Sequence, residues 1–409
     1  LIPESLLNRE SEHFKGFTPE VFWVTKTGDN DIENKLAIRP TSETIAYESY
    51  AKWIKSWRDL PLKLNFWNSV LRAEIKDTKP FIRTSEFLWQ EGHTAHETKE
   101  EAEKQVNVML KLYKDFVNEY LALPILTGKK SDKEKFVGAD YTLTLEGIMP
   151  DGKALQMGTS HQLGQNFSKP FEISFLGKDE KQHFVWQTSW GVSWRLMGAL
   201  IMIHGDDKGL ILPPKIAPIQ VVIIPIYYDE GKKNEIIKVI EKIKEQLDEK
   251  GVRSYVDSSE QHTPGWKFNQ WEMKGVPIRV EIGPKDLDND SLVVVKRNSR
   301  DKKNIAISDN PADSIIKELE VIQEELFESA KMKHSEMIFK SDEYNELCNR
   351  LTNDRGFIKS AWCGSRECED KIKDETGADV RLIEDEAISS SCIVCGNDAT
   401  NSVYFAKSY

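Results

Sequence analysis

Between Arg72 and His93 the chain gathers Arg72, Arg83, Glu74, Glu86, Glu91, Phe87, Trp89 and His93. Guanidinium groups grip phosphate oxygens in a planar, two-pronged geometry, and a neighbouring carboxylate accepts hydrogen bonds from an amino group. Such residues suit a polyanion held beside a base. The same alternating charges also suit a solvated sheet face, so this stretch alone leaves both readings open. Arg195 follows Trp190-Gly191 at the start of a helical pattern, where the helix dipole disfavours a cation unless an anion arrives to pair with it. Near the end, Cys363 and Cys368 enclose four residues, Cys392 and Cys395 enclose two, and 23 residues separate the pairs. That spacing reads as a tetrahedral structural zinc site, with four buried thiols as the plainer alternative. Cys348 stands apart and reads as packing.

Alternation at Phe81, Arg83, Ser85, Phe87 and Trp89 predicts strands on both sides of an exposed Lys76-Asp-Thr-Lys-Pro80 loop, so the first cluster would sit on a hairpin. Pro19 to Val24 predicts a strand closed by the turn Thr27-Gly-Asp-Asn30. After the short strand Leu36–Arg39, Thr41 or Ser42 can cap a helix carrying Ala46, Tyr47, Tyr50, Trp53, Ile54 and Trp57. Thr98 to Glu101 is a capping box before a long amphipathic helix whose apolar stripe runs from Val106 to Leu121. Residues 136–160 predict a hairpin turning at Pro150-Asp-Gly152. Phe184–Gly191 predicts a strand, and 192–204 a helix holding Arg195. Prolines 213, 214 and 218 mark a linker. Strand, helix and strand patterns from Ile219 to Val295 then predict a small α/β layer domain.

With 409 residues, the chain has material for two or three domains. Hydrophobic residues at 39% and charged residues at 30% fit a soluble globular protein. A net charge of −11 argues against phosphate contacts spread over the whole surface, though a large acidic protein can carry a local basic patch. No apolar run reaches the roughly 18 residues of a membrane span. The cysteine pattern is unlike a secreted disulfide framework, so a reducing compartment, the cytoplasm, is expected. Leu1 is not a methionine, and the numbering is expected to begin inside a longer polypeptide.

The order Arg39-Pro-Thr-Ser-Glu43, Arg72-x-Glu74, Phe81-x-Arg83-Thr84-x-Glu86-Phe87-Leu-Trp89-Gln-Glu91-Gly-His93, Thr159-Ser-His161-x-Leu-Gly-Gln-Asn166, Trp190-Gly-x-x-x-Arg195 and Pro264-Gly-Trp-Lys to Gly283-Pro resembles prolyl-tRNA synthetases of the eukaryotic and archaeal type, within class II. The resemblance implies ATP-dependent activation of L-proline and transfer to tRNA(Pro), in a homodimer, with Mg²⁺ beside the phosphates and no DNA or membrane partner. It assigns Arg72 and Arg195 to the reacting groups. Glu74, Arg83, Thr84, Phe87, Gln156, Thr159 and Ser193 join them around ATP. Thr41, Glu43, Trp89, Glu91, His93, Ser160 and His161 would shape the proline pocket. Trp266, Lys267, Glu272 and Arg279 would read the anticodon by stacking and hydrogen bonding. Trp194 departs from the family pattern, which has two hydroxyl residues before the third-motif arginine. The family's first motif is expected upstream of Leu1. Between His93 and Gln156 a helix and a hairpin leave no room for an editing insertion.

The fold class expected is therefore α+β and α/β multidomain. A class II catalytic domain with an antiparallel sheet and helices would span 1–214. An α/β anticodon-binding domain would follow at 215–318, and a small C-terminal α+β zinc-binding domain at 319–409. A sister class II enzyme for another amino acid, or a non-catalytic RNA-binding or scaffold relative, is the alternative. The first would lack Trp89-Gln-Glu91-Gly-His93, and the second is expected to lose Arg72 or Arg195.

Overall fold

The computed structural model describes residues 1–7, 20–227, 231–353 and 355–409, apart from the side chains of residues 387 and 400. By contacts the described residues form two units. One is Leu1–Asp115 with Ile125–Ala199 and Glu336–Tyr409; the other is Phe116–Pro124 with Leu200–Ser335.

In the first unit, β1 (Ile2–Pro3), β2 (Trp23–Thr27) and β3 (Asn30–Ala37) make a small antiparallel sheet. The strand expected from Pro19 begins at Trp23, and Pro19 itself lies outside the described residues. Helix α1 (Glu43–Trp53) follows Pro40 and buries Ala46, Tyr47 and Tyr50. Ser42 is its N-cap, but its side chain makes no capping bond. Next come β4 (Leu62–Leu71) and β5 (Glu86–His96). The expected hairpin is present, but its strands are placed differently. Residues 72–85 form the connection, and Phe81 there has φ of 61°, a left-handed value that breaks the alternation read from sequence.

Helix α2 (Lys99–Asp115) starts at Thr98, whose hydroxyl accepts from the Glu101 amide at 3.2 Å, and lays Val106, Met109 and Tyr113 against the sheet. It stops at Asp115, and a π-helical turn, Phe116–Tyr120, takes up the rest of the expected stripe. The interval from His93 to Gln156 also holds β6 (Leu126–Lys129) and β7 (Tyr141–Ile148). Strand β8 (Ala154–Gly164), the short pair β9 (Ser174–Leu176) and β10 (Gln182–Phe184), and β11 (Trp186–Ser193) complete the central part. Helix α3 (Arg195–His204) begins at Arg195, three residues later than expected, because β11 stays extended through Ser193. Strands β6-β7-β8-β11-β5-β4 are neighbours in that order, all antiparallel.

The second unit carries β12 (Val221–Pro225), α4 (Lys233–Glu249), β13 (Ser254–Val256), α5 (Pro264–Met273), β14 (Ile278–Ile282), α6 (Pro284–Asp288), β15 (Ser291–Lys296) and β16 (Lys302–Ala306). Its sheet order is β13-β12-β14-β15-β16. All five residues of β12 are buried because both faces are covered. Val221 and Ile223 pack with Ile236, Ile240 and Ile243 of α4, while Val222 and Ile224 pack with Trp271 of α5.

Helix α7 (Pro311–Glu336) runs across the boundary expected between 318 and 319. Beyond it lie β17 (Ile338–Lys340), α8 (Tyr344–Asn353), β18 (Phe357–Trp362), α9 (Arg366–Thr376), β19 (Asp379–Ser391) and β20 (Asp398–Ala406). These strands extend the sheet of the first unit to ten, with β19 pairing β6 at Ile383 and Lys129. One buried charge cluster reinforces that seam. Glu146 on β7 is 0% exposed and accepts from Lys130 at 2.7 Å, from Thr144 at 2.9 Å, and from Arg381 of β19 at 3.1 and 3.2 Å.

Burial pushes the Glu146 carboxyl up, but the Arg381 and Lys130 charges outweigh it and hold it below the ordinary carboxylate value of 4.5. Its contribution is therefore in full force above about pH 4.5 and fades as pH falls through the depressed value. Removing Glu146 strands the two buried cations of Lys130 and Arg381. Glu146→Ala should cost about 3–5 kcal/mol at neutral pH, read from urea denaturation. An unchanged midpoint would show that the pair does not hold the seam.

Candidate active site

Side chains of an antiparallel sheet alternate between faces, so residues two apart on one strand line up with partners two apart on the next. On the face away from α2, this builds rows across β5, β11, β8 and β7. One row joins Trp89 to Ser193. The next runs Glu91, Gly191, Thr159 and Thr144. The third runs His93, Ser189, His161 and Thr142. Gly191 leaves room beside Trp89, whose ring would lie 3.5 Å from any added Cβ. Above the rows opens a cleft of roughly 300 Å³.

Two arginines stand at one end of the cleft. Arg72, directly after β4, has its guanidinium 5.1 Å from the Phe87 ring centre and 5.8 Å from that of Trp89. Arg195 donates to the carbonyl oxygens of Ile82 at 2.9 Å and Gln156 at 3.2 Å. Among the described residues neither has a carboxylate within 4 Å. Burial, then repulsion from Arg72, lowers Arg195 to about 10, still cationic at neutral pH. Two half-buried cations with no carboxylate in contact make this end of the cleft a receptor for anions.

The middle rows hold the opposite charge. Ser42 donates to Glu91, which explains the unused helix cap; Asn68 donates to the same oxygen at 3.2 Å, and Thr41 donates to Glu43. His93 Nε2 lies 3.1 Å from Glu91, and Tyr50 donates to the His93 carbonyl at 2.6 Å. Burial pushes Glu43 above its ordinary range, with the Glu91 charge adding to it. Burial also opposes ionisation of Glu91, but hydrogen bonding to and charge on His93, with Ser42 and Asn68, prevail and keep it low. For His93, the two glutamates overcome burial and raise it. An ionised Glu91–His93 pair thus sits beside a Glu43 whose carboxyl burial makes harder to ionise than usual.

His161 differs. Thr142 and Thr159 flank its two nitrogens at 2.9 Å each, Phe136 packs on its ring at 4.9 Å, and burial with the His93 charge lowers it to about 3.

Of the residues expected around ATP and proline, Thr41, Glu43, Arg72, Thr84, Phe87, Trp89, Glu91, His93, Gln156, Thr159, His161, Ser193 and Arg195 line the cleft. Three do not. Ser160 has the opposite parity, and its hydroxyl donates to the Val106 carbonyl of α2 at 2.9 Å. Glu74 and Arg83 are exposed on the connection 72–85. Phe136, Thr142 and Ser189 also line the cleft and were missed. The parity of β11 around Gly191 was the available signal for Ser189; no local pattern marks Phe136.

In the second unit, Glu272 and Arg279 line a separate pocket of about 210 Å³ with Arg297, Arg300 and Lys302. Arg279 lies over Phe268 at 4.4 Å. Trp266 is exposed and stacks on His262 at 3.6 Å. Lys267 is turned inward, donating to the Asp257 carbonyl at 2.8 Å.

The sulfurs of Cys363, Cys368, Cys392 and Cys395 all lie within 4.8 Å of one another, with Cys363 3.7 Å from Cys368 and 3.8 Å from Cys395. A tetrahedron with zinc–sulfur bonds of about 2.3 Å has edges of about 3.8 Å, so the set fits that ion. Cys348 stays outside it.

The family description "tRNA synthetase class II core domain (G, H, P, S and T)" matches residues 22–204, "Anticodon binding domain" matches 220–317, and "Prolyl-tRNA synthetase, C-terminal" matches 344–409. A proline–tRNA ligase of Cenarchaeum symbiosum is 55% identical over 409 residues, spanning 100% of this chain and 86% of its own. One from Natranaerobius thermophilus is 51% identical, spanning 100% and 84%. The crystal structure of prolyl-tRNA synthetase from Cryptosporidium parvum, complexed with halofuginone and AMPPNP, superposes with a TM-score of 0.93 at 43% identity, covering 100% of this chain and 86% of that one.

The two cleft histidines should titrate oppositely. By proton NMR of the ligand-free protein, the His93 imidazole should remain protonated above the ordinary value of 6.5. His161, lowered to about 3, should show no titration between pH 5 and 8. A His161 resonance that shifts in that window would refute a buried neutral ring.

Proposed function

This chain belongs to the prolyl-tRNA synthetases of class II, and from that premise we propose how its residues divide the reaction. The enzyme activates L-proline with ATP, giving prolyl-adenylate and pyrophosphate, and passes proline to the 3′ end of tRNA(Pro). In the first step a proline carboxylate oxygen bonds to the α-phosphorus and pyrophosphate leaves with the electron pair. Such a step asks for positioning and charge neutralisation more than for proton transfer.

Arg72 holds the proline carboxylate against the α-phosphate. Arg195 reaches the phosphates and, with Phe87, encloses the adenine. Thr84, Gln156, Thr159 and Ser193 contact the nucleotide, and Glu74 and Arg83 join when the connection 72–85 folds over it. Mg²⁺ bound with the ATP would supply further neutralisation of phosphate charge. Thr41, Glu43 and Glu91 receive the proline imino cation, with Trp89, His93, His161 and Phe136 as walls. Ser160 has no direct part, since its hydroxyl is bonded behind the sheet. The observation that carries this reading is the charge arrangement: two guanidinium groups with no carboxylate in contact among the described residues, beside a buried Glu43–Glu91–His93 group.

The pocket of Glu272 and Arg279, with Trp266 nearby in sequence, takes the anticodon, while Lys267 supports it by holding Asp257. The four cysteines hold a structural Zn²⁺, and because all four positions are protein ligands the ion would supply stability, not catalysis. Exposed Trp67, 81% accessible on edge strand β4, suits coverage by a second subunit in a homodimer. The five cysteines form no disulfide with one another, which suits the reducing cytoplasm.

Amino-acid-dependent ATP–pyrophosphate exchange across all twenty amino acids tests the reading, and proline should dominate. Arg72→Ala and Arg195→Ala should each lose about 3 kcal/mol or more of transition-state stabilisation while staying folded. Near-normal exchange by either variant would remove that arginine from the mechanism.

Elemental analysis of protein purified without chelator should find about one zinc per chain. Cys363→Ser or Cys395→Ser should lose it, and Cys348→Ser should not. Metal-free protein of unchanged stability would favour four plain thiols.

A further inference from the structure

The cleft wall at Phe136 is held from outside the cleft. Phe136 lies in the connection between β6 and β7. Its amide donates to the Thr142 hydroxyl at 3.0 Å, and its ring packs on His161 at 4.9 Å. Those contacts fix the later end of a turn that begins at Ser131, which is 1% exposed. The Ser131 carbonyl oxygen accepts from the amides of Glu134 at 3.2 Å and Lys135 at 2.9 Å, and its hydroxyl accepts from the Glu134 amide at 3.3 Å. The same hydroxyl donates, at 2.9 Å, to Glu369 of α9, 238 positions away. Two residues on, Lys133 pairs with Asp370 at 2.6 Å. Glu134 and Phe136 line the cleft, whereas Glu369 and Asp370 do not.

Glu369 is the odd charge of its helix. Arg366, Glu367, Lys371, Asp374 and Glu375 are exposed, but Glu369 is only 2% exposed. Taking a carboxylate out of water is costly unless a specific partner receives it. Here the partner is Ser131, at the head of the turn. The helix itself is a firm support. Cys368 and Ile372 pack with Leu347, Val380 and Val403, and the Ser365 hydroxyl caps α9 by accepting from the Cys368 amide.

We propose that Glu369 is a positioning residue for the amino-acid pocket, gripping Ser131 so that the turn 131–136 presents Phe136 to the pyrrolidine ring. Glu369 bonds no substrate. It acts through the Ser131 hydroxyl, which passes the constraint to the Glu134 amide and so along the turn. A wall that meets the ring alone is in contact equally before and during the attack on phosphorus. Its loosening therefore reads in KM for proline and not in kcat.

ATP–pyrophosphate exchange on the full chain, with proline and ATP varied in turn, tests this assignment apart from the prolyl reading on which it rests. No exchange with proline in the unaltered chain would overturn the prolyl reading itself. With proline active, Glu369→Ala should raise KM for proline about tenfold or more, and change kcat and KM for ATP by less than about threefold. Glu369→Gln keeps an oxygen that accepts from Ser131, and should bring KM for proline back to within about threefold of the unaltered chain. Ile372→Val trims the buried face of α9 without touching the turn, and should lower stability while leaving both KM values within about twofold. A smaller rise of the proline KM in Glu369→Ala overturns the positioning role. So does a Gln variant no better than the Ala variant. A proline KM raised as much by Ile372→Val, or a kcat that falls while both KM values rise, would show general loosening and overturn it too. Should Glu369→Ala fail to fold, Ser131→Ala removes the same bond from the other side and is read by the same split.

Discussion

The register between β5, β11 and β8 is the constraint on which the cleft depends. A slip of one residue would turn every side chain of a strand to the other face. Glu91 and His93 would then point at α2, and Gln90 and Thr94 would enter the cleft. Aromatic packing fixes the alignment from behind: Trp190 lies so close over Gly92 that any Cβ there would sit within 1.9 Å of its ring. The back of the sheet, with no chemistry of its own, sets which residues reach the front.

Charge is then distributed along the strands. Among the described residues the arginines contact aromatic faces and backbone carbonyls and no carboxylate, so their charge is open to an arriving anion. A short way along the same strands, Glu91 and His93 compensate each other and leave Glu43 disfavoured as an anion. Each end of an amino acid thereby has one direction in which it is welcome. On the proposed division of roles, these charges orient the zwitterion before any contact with its side chain is made.

Much of this was legible in the chain. Period-two patterns located β7, β8 and β11, period 3.6 located α2 and α4, and the motif order brought thirteen of the assigned residues into one cleft. The misses have physical causes. Phe81 has the right parity for a strand but a left-handed backbone, which hydrophobic alternation cannot reveal. Ser160 was grouped with His161 because motifs are read linearly, whereas a strand sends neighbours to opposite faces. Ser42 looks like a cap by composition, but a buried carboxylate from another strand competes for its hydroxyl and wins. Lys267 stands in the stretch expected to read the anticodon, but its ammonium is turned inward against Asp257, a partner that no local pattern reveals. The pairing of β19 with β6 joins residues more than 250 positions apart, beyond any local pattern.

That last pairing bears on how the polypeptide can be cut. Domain boundaries drawn along the sequence invite a catalytic fragment that stops before Glu336. Such a fragment would expose the hydrogen-bonding edge of β6, which β19 otherwise occupies. It would also leave Lys130 and Glu146 at the rim of an open sheet. Unpaired edges recruit strands from other molecules. A shortened catalytic fragment is therefore apt to aggregate even with every cleft residue present, and the last seventy or so residues serve the first unit as an intramolecular guard against self-association.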